Sequence, residues 1–324
     1  MCTAITFEAE DFYFGRTLDY DFLYPSQVVV SPRNFDFGFG NHLCRKEHYA
    51  LTGMAYVHKG YPLYYDAVNE CGLCMAGLNF TGNAVYGKEW AGKENVASYE
   101  LIPYVLSLCK SVKEARVLLQ RINITDRAFS EDLPVSQLHF IVADKCESIV
   151  VESVKTGVEI YDNPVGVLSN NPTFPYHMMN LANYMNISPR PAENRFSDKV
   201  NLCQYSRGMG SIGLPGDYSS QSRFVRAAFV KLNSVVPKGE IACVNQFFHI
   251  MDTVFQTGGV CVLEEGRYEK TLYTCCINAQ RGIYYYTTYD NRQISGVDMH
   301  REDLDCDRLK CYRLRTSQQI ECLN

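Results

Sequence analysis

The sequence predicts an α+β domain of antiparallel sheets covered by pairs of helices. Three observations carry that expectation. Strand-like segments are joined by short polar turns, as antiparallel neighbours are. Helix-like segments come two at a time, in the order strands, helix pair, strands, helix pair, strands, whereas a doubly wound parallel sheet alternates single helices with strands. No repeat, low-complexity tract or Gly/Ser/Pro linker divides the chain, so residues 1–324 are expected to form a single domain.

The elements follow in order. Residues 3–7 alternate weakly, residues 8–11 turn and residues 12–18 run back, which makes a hairpin. A valine-rich strand is expected at 27–31, and further strands at 50–57 and 71–80, whose small residues permit close backbone approach. Residues 98–109 place Leu101, Ile102, Val105 and Leu108 at helical spacing, with Ser98 as the expected cap. Residues 111–122 repeat the pattern with Ala115, Leu118, Leu119 and Ile122. Strands return at 137–143, 148–154, 158–161 and 165–168. Residues 174–184 read as a helix. Residues 186–217, rich in Pro, Gly, Ser and Asn, read as a long ordered loop, which compact domains usually keep for function. Amphipathic helices are expected at 222–235 and 244–255, then strands at 271–277, 282–289 and 293–298.

Composition narrows the function classes. Apolar residues make up 46% and charged residues 21%, ordinary for a globular chain and unlike a disordered or fibrous one. A net charge of −5 gives no basic face, so neither nucleic acid nor a membrane surface is an expected partner. No apolar run reaches 18 residues, and the N-terminus lacks the basic start and apolar stretch of a signal peptide. The 14 cysteines are irregularly spaced in a large chain, so they read as reduced and mostly buried, and the expected location is cytoplasmic.

Two motif matches lack their context. Gly208, Gly210 and Gly213 have dinucleotide-fingerprint spacing, but no strand precedes them and Leu214-Pro215-Gly216-Asp217 follows where a helix should start. Cys71 and Cys74 form a CxxC with no second ligand pair for zinc and no helix start for a redox dithiol. The seven histidines show no metal spacing.

Cys2 differs, because it directly follows Met1. Its small side chain permits removal of the methionine, which would leave a thiol and a free α-amine on one residue. The amine can take the proton while the sulfur attacks a carbonyl carbon, the arrangement known for N-terminal threonine nucleophiles. Read alone, Arg16 and Asp19 could equally be a structural ion pair, and Arg223 a solvated helix residue.

Five separated segments extend this reading. They are Met1-Cys2-Thr3-Ala4-Ile5 with Phe14-Gly15-Arg16-Thr17-Leu18-Asp19; Gly77-Leu78-Asn79-Phe80; Leu168-Ser169-Asn170-Asn171-Pro172-Thr173-Phe174; Gly213-Leu214-Pro215-Gly216-Asp217 with Ser222-Arg223-Phe224; and Gly282-Ile283-Tyr284-Tyr285-Tyr286. In this order and over essentially the whole chain they resemble the choloylglycine hydrolase family. The resemblance implies an N-terminal-nucleophile hydrolase fold, a four-layer αββα arrangement with two stacked antiparallel sheets. It implies Cys2 as nucleophile, Arg16 and Asp19 beside it, Asn79 at the oxyanion, and Asn170 and Arg223 completing the site. Asn170 is preferred to Asn171 because the family's Asn lies two residues before the Pro, here Pro172. The implied activity is hydrolysis of the amide bond of glycine- or taurine-conjugated bile acids, with no metal or organic cofactor and a homotetrameric enzyme. Asn79 favours bile salts, since the penicillin V acylases of the family tend to carry Tyr there. Leu18, Tyr20, Tyr24, Phe129 and Leu133 are the expected trough for the steroid. The alternatives are penicillin V or N-acyl-homoserine-lactone acylase activity, a non-catalytic steroid-binding protein, and a redox role for Cys71 and Cys74.

Overall fold

Alternation at the start of the chain produces the expected hairpin: β1 (Cys2–Glu8) and β2 (Phe12–Tyr20) pair antiparallel, with Cys2 opposite Leu18 and Ala4 opposite Arg16. The structure, a computed structural model, describes residues 1–39 and 48–324. After the hairpin come β3 (Ser26–Ser31), β4 (Leu51–His58), β5 (Tyr61–Asn69), β6 (Cys74–Asn79) and β7 (Glu94–Ala97). Helices α1 (Leu101–Leu108) and α2 (Val112–Leu119) follow, then β8 (Ile122–Thr125), β9 (Leu138–Ala143), β10 (Ser148–Val154), β11 (Gly157–Asp162) and β12 (Val167–Leu168). The second half holds α3 (Phe174–Leu181), α4 (Ser220–Asn233) and α5 (Glu240–Asp252). It ends with β13 (Cys261–Val262), β14 (Tyr268–Asn278), β15 (Ile283–Thr288), β16 (Asn291–Asp298) and β17 (Lys310–Arg313).

The strands make two large antiparallel sheets. One runs β12-β1-β2-β14-β15-β16, with β13 alongside β14; the other runs β11-β10-β9-β6-β5-β4-β3-β17. Strands β7 and β8 form a separate parallel pair. Helices α4 and α5 cover β1, β2 and β14, while α1 and α2 lie on β5, β6 and β9. One apolar core lies between the sheets and beneath α3, α4 and α5, with Phe14, Phe224 and Phe247 fully buried. The other lies between α1, α2 and the eight-stranded sheet, around Leu73, Met75 and Leu101. The layers are therefore helix, sheet, sheet, helix, and each fully buried large side chain contributes about 1.5–3 kcal/mol.

Local signals set the helix ends. Ser111 caps α2 by accepting from the Glu114 N–H, and the Glu114 carboxylate reaches back to the Lys110 N–H. At α1 the expected cap is displaced. Glu100, not Ser98, precedes the first helical residue and makes no side-chain cap. Pro103 lies in this first turn and has no N–H for a cap to satisfy. Helix α5 starts at Glu240, four residues before the expected 244, and 186–217 is a loop with one short helical turn at Met209–Ser211. Strands β5, β7, β8, β13 and β17 lie where the sequence predicts no strand.

Gly15 and Gly53 permit close contacts in the two sheets. A methyl on Gly15 would sit 2.0 Å from the Cys275 carbonyl oxygen, and one on Gly53 2.0 Å from that of Asp66. Gly15→Ala is expected to destabilise the fold by about 2 kcal/mol or more, as substitutions that force backbone apart do. Urea unfolding of the variant beside the parent protein measures it.

Candidate active site

Cys2 begins β1, which runs between β12 and β2, and it is 3% exposed. Its Sγ receives Nη2 of Arg16 at 2.5 Å. Arg16 projects from β2 and is fully buried, donating Nε to the Thr17 carbonyl at 3.1 Å. Its Nη1 reaches across to the other sheet, to the carbonyls of Gly77 on β6 (2.5 Å) and Tyr65 on β5 (3.4 Å). Burial alone would lower the Arg16 pKa, but the neighbouring Cys2, Tyr273 and Asp66 outweigh it and hold the guanidinium above its ordinary value.

Asn170 follows β12 and has a partner for each of its polar groups. Its Oδ1 accepts from the Cys2 N–H at 2.7 Å and from Nη2 of Arg223 at 2.8 Å. Its Nδ2 donates to the Asn79 carbonyl at 2.7 Å, its N–H to Ser220 Oγ at 2.8 Å, and its carbonyl accepts from Nε2 of His177 at 2.8 Å. The neighbouring Asn171 instead donates to the Thr81 carbonyl. Arg223, on α4, is fully buried rather than solvated. Its Nη1 meets the Cys2 carbonyl at 2.5 Å and Thr3 Oγ1 at 2.6 Å. Burial lowers its pKa, with Asp19 and Cys2 pulling the other way.

The structure thus brings Cys2, Arg16, Asn79, Asn170 and Arg223 together. Asn79 ends β6, and its Oδ1 accepts from Thr81 Oγ1 at 2.7 Å. Asp19 is buried on β2, and its carboxylate accepts from Thr271 Oγ1 (2.7 Å), Gln256 Nε2 (3.1 Å) and Thr17 Oγ1 (3.2 Å). With Met1 in place, the terminal ammonium donates to the Asp19 carbonyl oxygen at 2.6 Å and to Glu269 Oε1 at 3.0 Å. Glu269, Gln256 and Thr271 had not been singled out from the sequence. Gln256 lies between α5 and β13, outside any strand, and the register of β14 on β2 shifts between Thr271 and Tyr273, so strand alternation alone does not assign Glu269 and Thr271 to the site.

Among the expected trough residues, Leu18 lies opposite Cys2 in the hairpin. Ring contacts run from Tyr20 to Phe22 to Tyr24, from Tyr24 stacked on Tyr56 to His58, and on to Phe129, with centroids 5.0–5.7 Å apart. Leu133 is half-buried on the loop that carries Phe129, its N–H bonded to the Ser130 carbonyl. Cys71 is exposed in a turn while Cys74 is buried on β6, and both are free thiols. Gly208 and Gly210 serve the turn at Met209–Ser211, with no strand before it. Among the described residues no group of three or more His, Cys, Asp or Glu side chains could hold a metal ion.

Paired antiparallel sheets between helix layers, with a cysteine at the start of a central strand, are the arrangement of N-terminal-nucleophile hydrolases. The model of linear amide C–N hydrolases, choloylglycine hydrolase family, matches residues 2–312, and the chain belongs to that family. It is 50% identical to a bile salt hydrolase/transferase of Lactiplantibacillus plantarum over 324 residues, covering all of both chains. A bile salt hydrolase/transferase of Clostridium perfringens is 36% identical over the full length of both. The fold superposes on a crystal structure of a variant conjugated bile acid hydrolase from Clostridium perfringens with a TM-score of 0.91, at 35% identity and full coverage of both chains. A penicillin V acylase from Agrobacterium tumefaciens shares the fold at a TM-score of 0.75 and 20% identity, over 96% of this chain and 90% of that one.

The burial of His177, whose Nε2 donates to the Asn170 carbonyl, gives a pH signature. Burial pushes His177 down to about 4, so the native ring stays neutral where an unfolded histidine, near 6.5, is protonated. Between those values the unfolded chain binds the extra proton. Stability should therefore fall as pH drops through the window, by as much as about 3 kcal/mol. His177→Gln is expected to flatten that slope, measured by urea midpoints from pH 7 to 4.

Proposed function

We propose that this protein is a bile salt hydrolase that cleaves the amide bond of glycine- or taurine-conjugated bile acids, with Cys2 as nucleophile after Met1 is removed. The observation that carries this reading is the buried Cys2 thiol under Nη2 of Arg16, with Asn170 Oδ1 on the Cys2 nitrogen. The full-length identity to bile salt hydrolases supports the substrate class.

In this reading removal of Met1 turns the Cys2 N–H into an amine that still faces Asn170 Oδ1. The amine takes the thiol proton as Sγ attacks the amide carbon. Arg16 stabilises the thiolate, and Asn79, with Asn170 assisting, meets the oxyanion. The protonated amine then gives its proton to the leaving glycine or taurine nitrogen. Water cleaves the thioester, with the amine again as base, and frees the bile acid. Asp19 anchors the strands around the amine, and Arg223 fixes the Cys2 carbonyl. Leu18, Tyr20, Tyr24, Phe129 and Leu133 offer apolar surface to the steroid, whose rigid rings suit aromatic faces. We further propose a cytoplasmic homotetramer; the exposed Phe196 and Tyr205 of the long loop, with Met185 just before it, supply apolar surface for such contacts.

Cys2→Ala is expected to lose glycocholate and taurocholate hydrolysis entirely while remaining folded. Retained turnover by that variant overturns the reading. Rates on a panel of conjugated bile salts beside penicillin V are expected to favour the bile salts. The reverse order would make the protein an acylase of the same family.

A further inference from the structure

The segment that presents Asn170, residues 169–173 between β12 and α3, is held by a buried pair that the reaction above leaves unused. His139 lies on β9 and Glu152 beside it on β10, and both are 0% exposed. His139 Nδ1 meets Glu152 Oε1 at 3.0 Å, and its Nε2 donates to the Ser169 carbonyl at 2.9 Å. The same Glu152 oxygen accepts from the Phe174 N–H at 3.0 Å, one of the donors that the start of α3 leaves unbonded. The pair therefore grips the segment at both ends, Ser169 through the ring and Phe174 directly. The ring also stacks on Phe80, the neighbour of Asn79, with centroids 4.2 Å apart and planes 7° apart.

Packing alone does not account for this pair, since apolar residues of similar volume often replace a buried ion pair without loss. Both partners of the ring are acceptors, one a carbonyl and the other a carboxylate. A neutral imidazole carries one N–H, so the two contacts are satisfied only with a second proton between Nδ1 and Oε1. A carboxylate behind a histidine fixes in this way which ring nitrogen faces forward as a donor. Glu152 Oε2 has no hydrogen-bond partner among the described residues, so the hydrogen bonds of this carboxylate go wholly to the ring and the segment. Ser169 immediately precedes Asn170, whose side chain bonds the Cys2 nitrogen and the Asn79 carbonyl.

We propose that His139 and Glu152 are positioning residues for the reaction. Glu152 keeps the ring donating to the Ser169 carbonyl, and the ring fixes Asn170 relative to Asn79 and the Cys2 amine. The pair acts through Asn170, so it sets the rate of the chemical step rather than the hold on the steroid.

The inference rests on the reading of Cys2 and Asn170 as the reacting set, and its test compares variants of the mature enzyme on glycocholate. Glutamine places an amide nitrogen where the ring's Nε2 stood, and asparagine one where Nδ1 stood; both lose the stack on Phe80. His139→Gln therefore keeps the donor to Ser169 and is expected to retain most of kcat. His139→Asn loses that donor, and its kcat is expected to fall about tenfold to a hundredfold with KM unchanged, the scale of a small misplacement of reacting groups. Glu152→Gln keeps the shape and the acceptor for Phe174. It is expected to lower kcat in the parent and to cost nothing further in a His139→Gln background, because Glu152 acts through the ring. Equal kcat in folded His139→Gln and His139→Asn overturns the proposal, since a merely structural histidine would not distinguish them. So does an unchanged kcat in Glu152→Gln, the same loss from Glu152→Gln in both backgrounds, or a loss carried by KM. If His139→Asn does not fold, Glu152→Gln decides. Failure of the underlying reading shows up separately, as turnover by Cys2→Ala.

Discussion

A buried guanidinium is the constraint on which the rest of this structure depends. Arg16 starts from one sheet and spends its donors on the sulfur of Cys2 and on backbone carbonyls of both sheets. A cation placed there needs every donor satisfied and anions nearby, or its desolvation cost goes uncompensated. The two sheets must therefore stack so that Gly77 and Tyr65 present their carbonyls to β2. Their interface is consequently a polar seam within an apolar core, and the seam ends at the nucleophile.

Asn170 plays the complementary part outside the sheet. It joins β1 through Cys2, β6 through Asn79, α4 through Arg223 and Ser220, and α3 through His177. Four elements thus converge on one residue, three of them on its side chain. Such a hub leaves little rotational freedom, which favours a site prepared for reaction before substrate arrives.

Much of this was legible in the residues. The first hairpin, the paired helices and the long loop follow from periodicity and turn chemistry. The resemblance to the choloylglycine hydrolase family, rather than spacing alone, marked out Cys2, Arg16, Asn79, Asn170 and Arg223, which fold into one place. Other features were hidden for physical reasons. Strand β5 begins Tyr61-Pro62 and carries a charged Asp66 where apolar alternation was sought. Strands β7 and β8 are four residues each and pair parallel, a contact between segments that no local turn announces. Glu269, Gln256 and Asp66 are connected only through tertiary contacts, and the shifted register of β14 removes the last local clue to which way its side chains face.

The pinned first residue has a consequence for how the enzyme comes of age. In the folded chain the bond between Met1 and Cys2 is clamped at both ends, its carbonyl held by the Asp19 N–H and its nitrogen by Asn170. A trimming peptidase needs that bond extended in its own cleft, so folding and trimming compete for the same few atoms. If competence requires removal of Met1, as proposed above, whichever finishes first decides whether a newly made molecule is born competent or locked, and the speed of docking of β1 becomes a setting on enzyme yield.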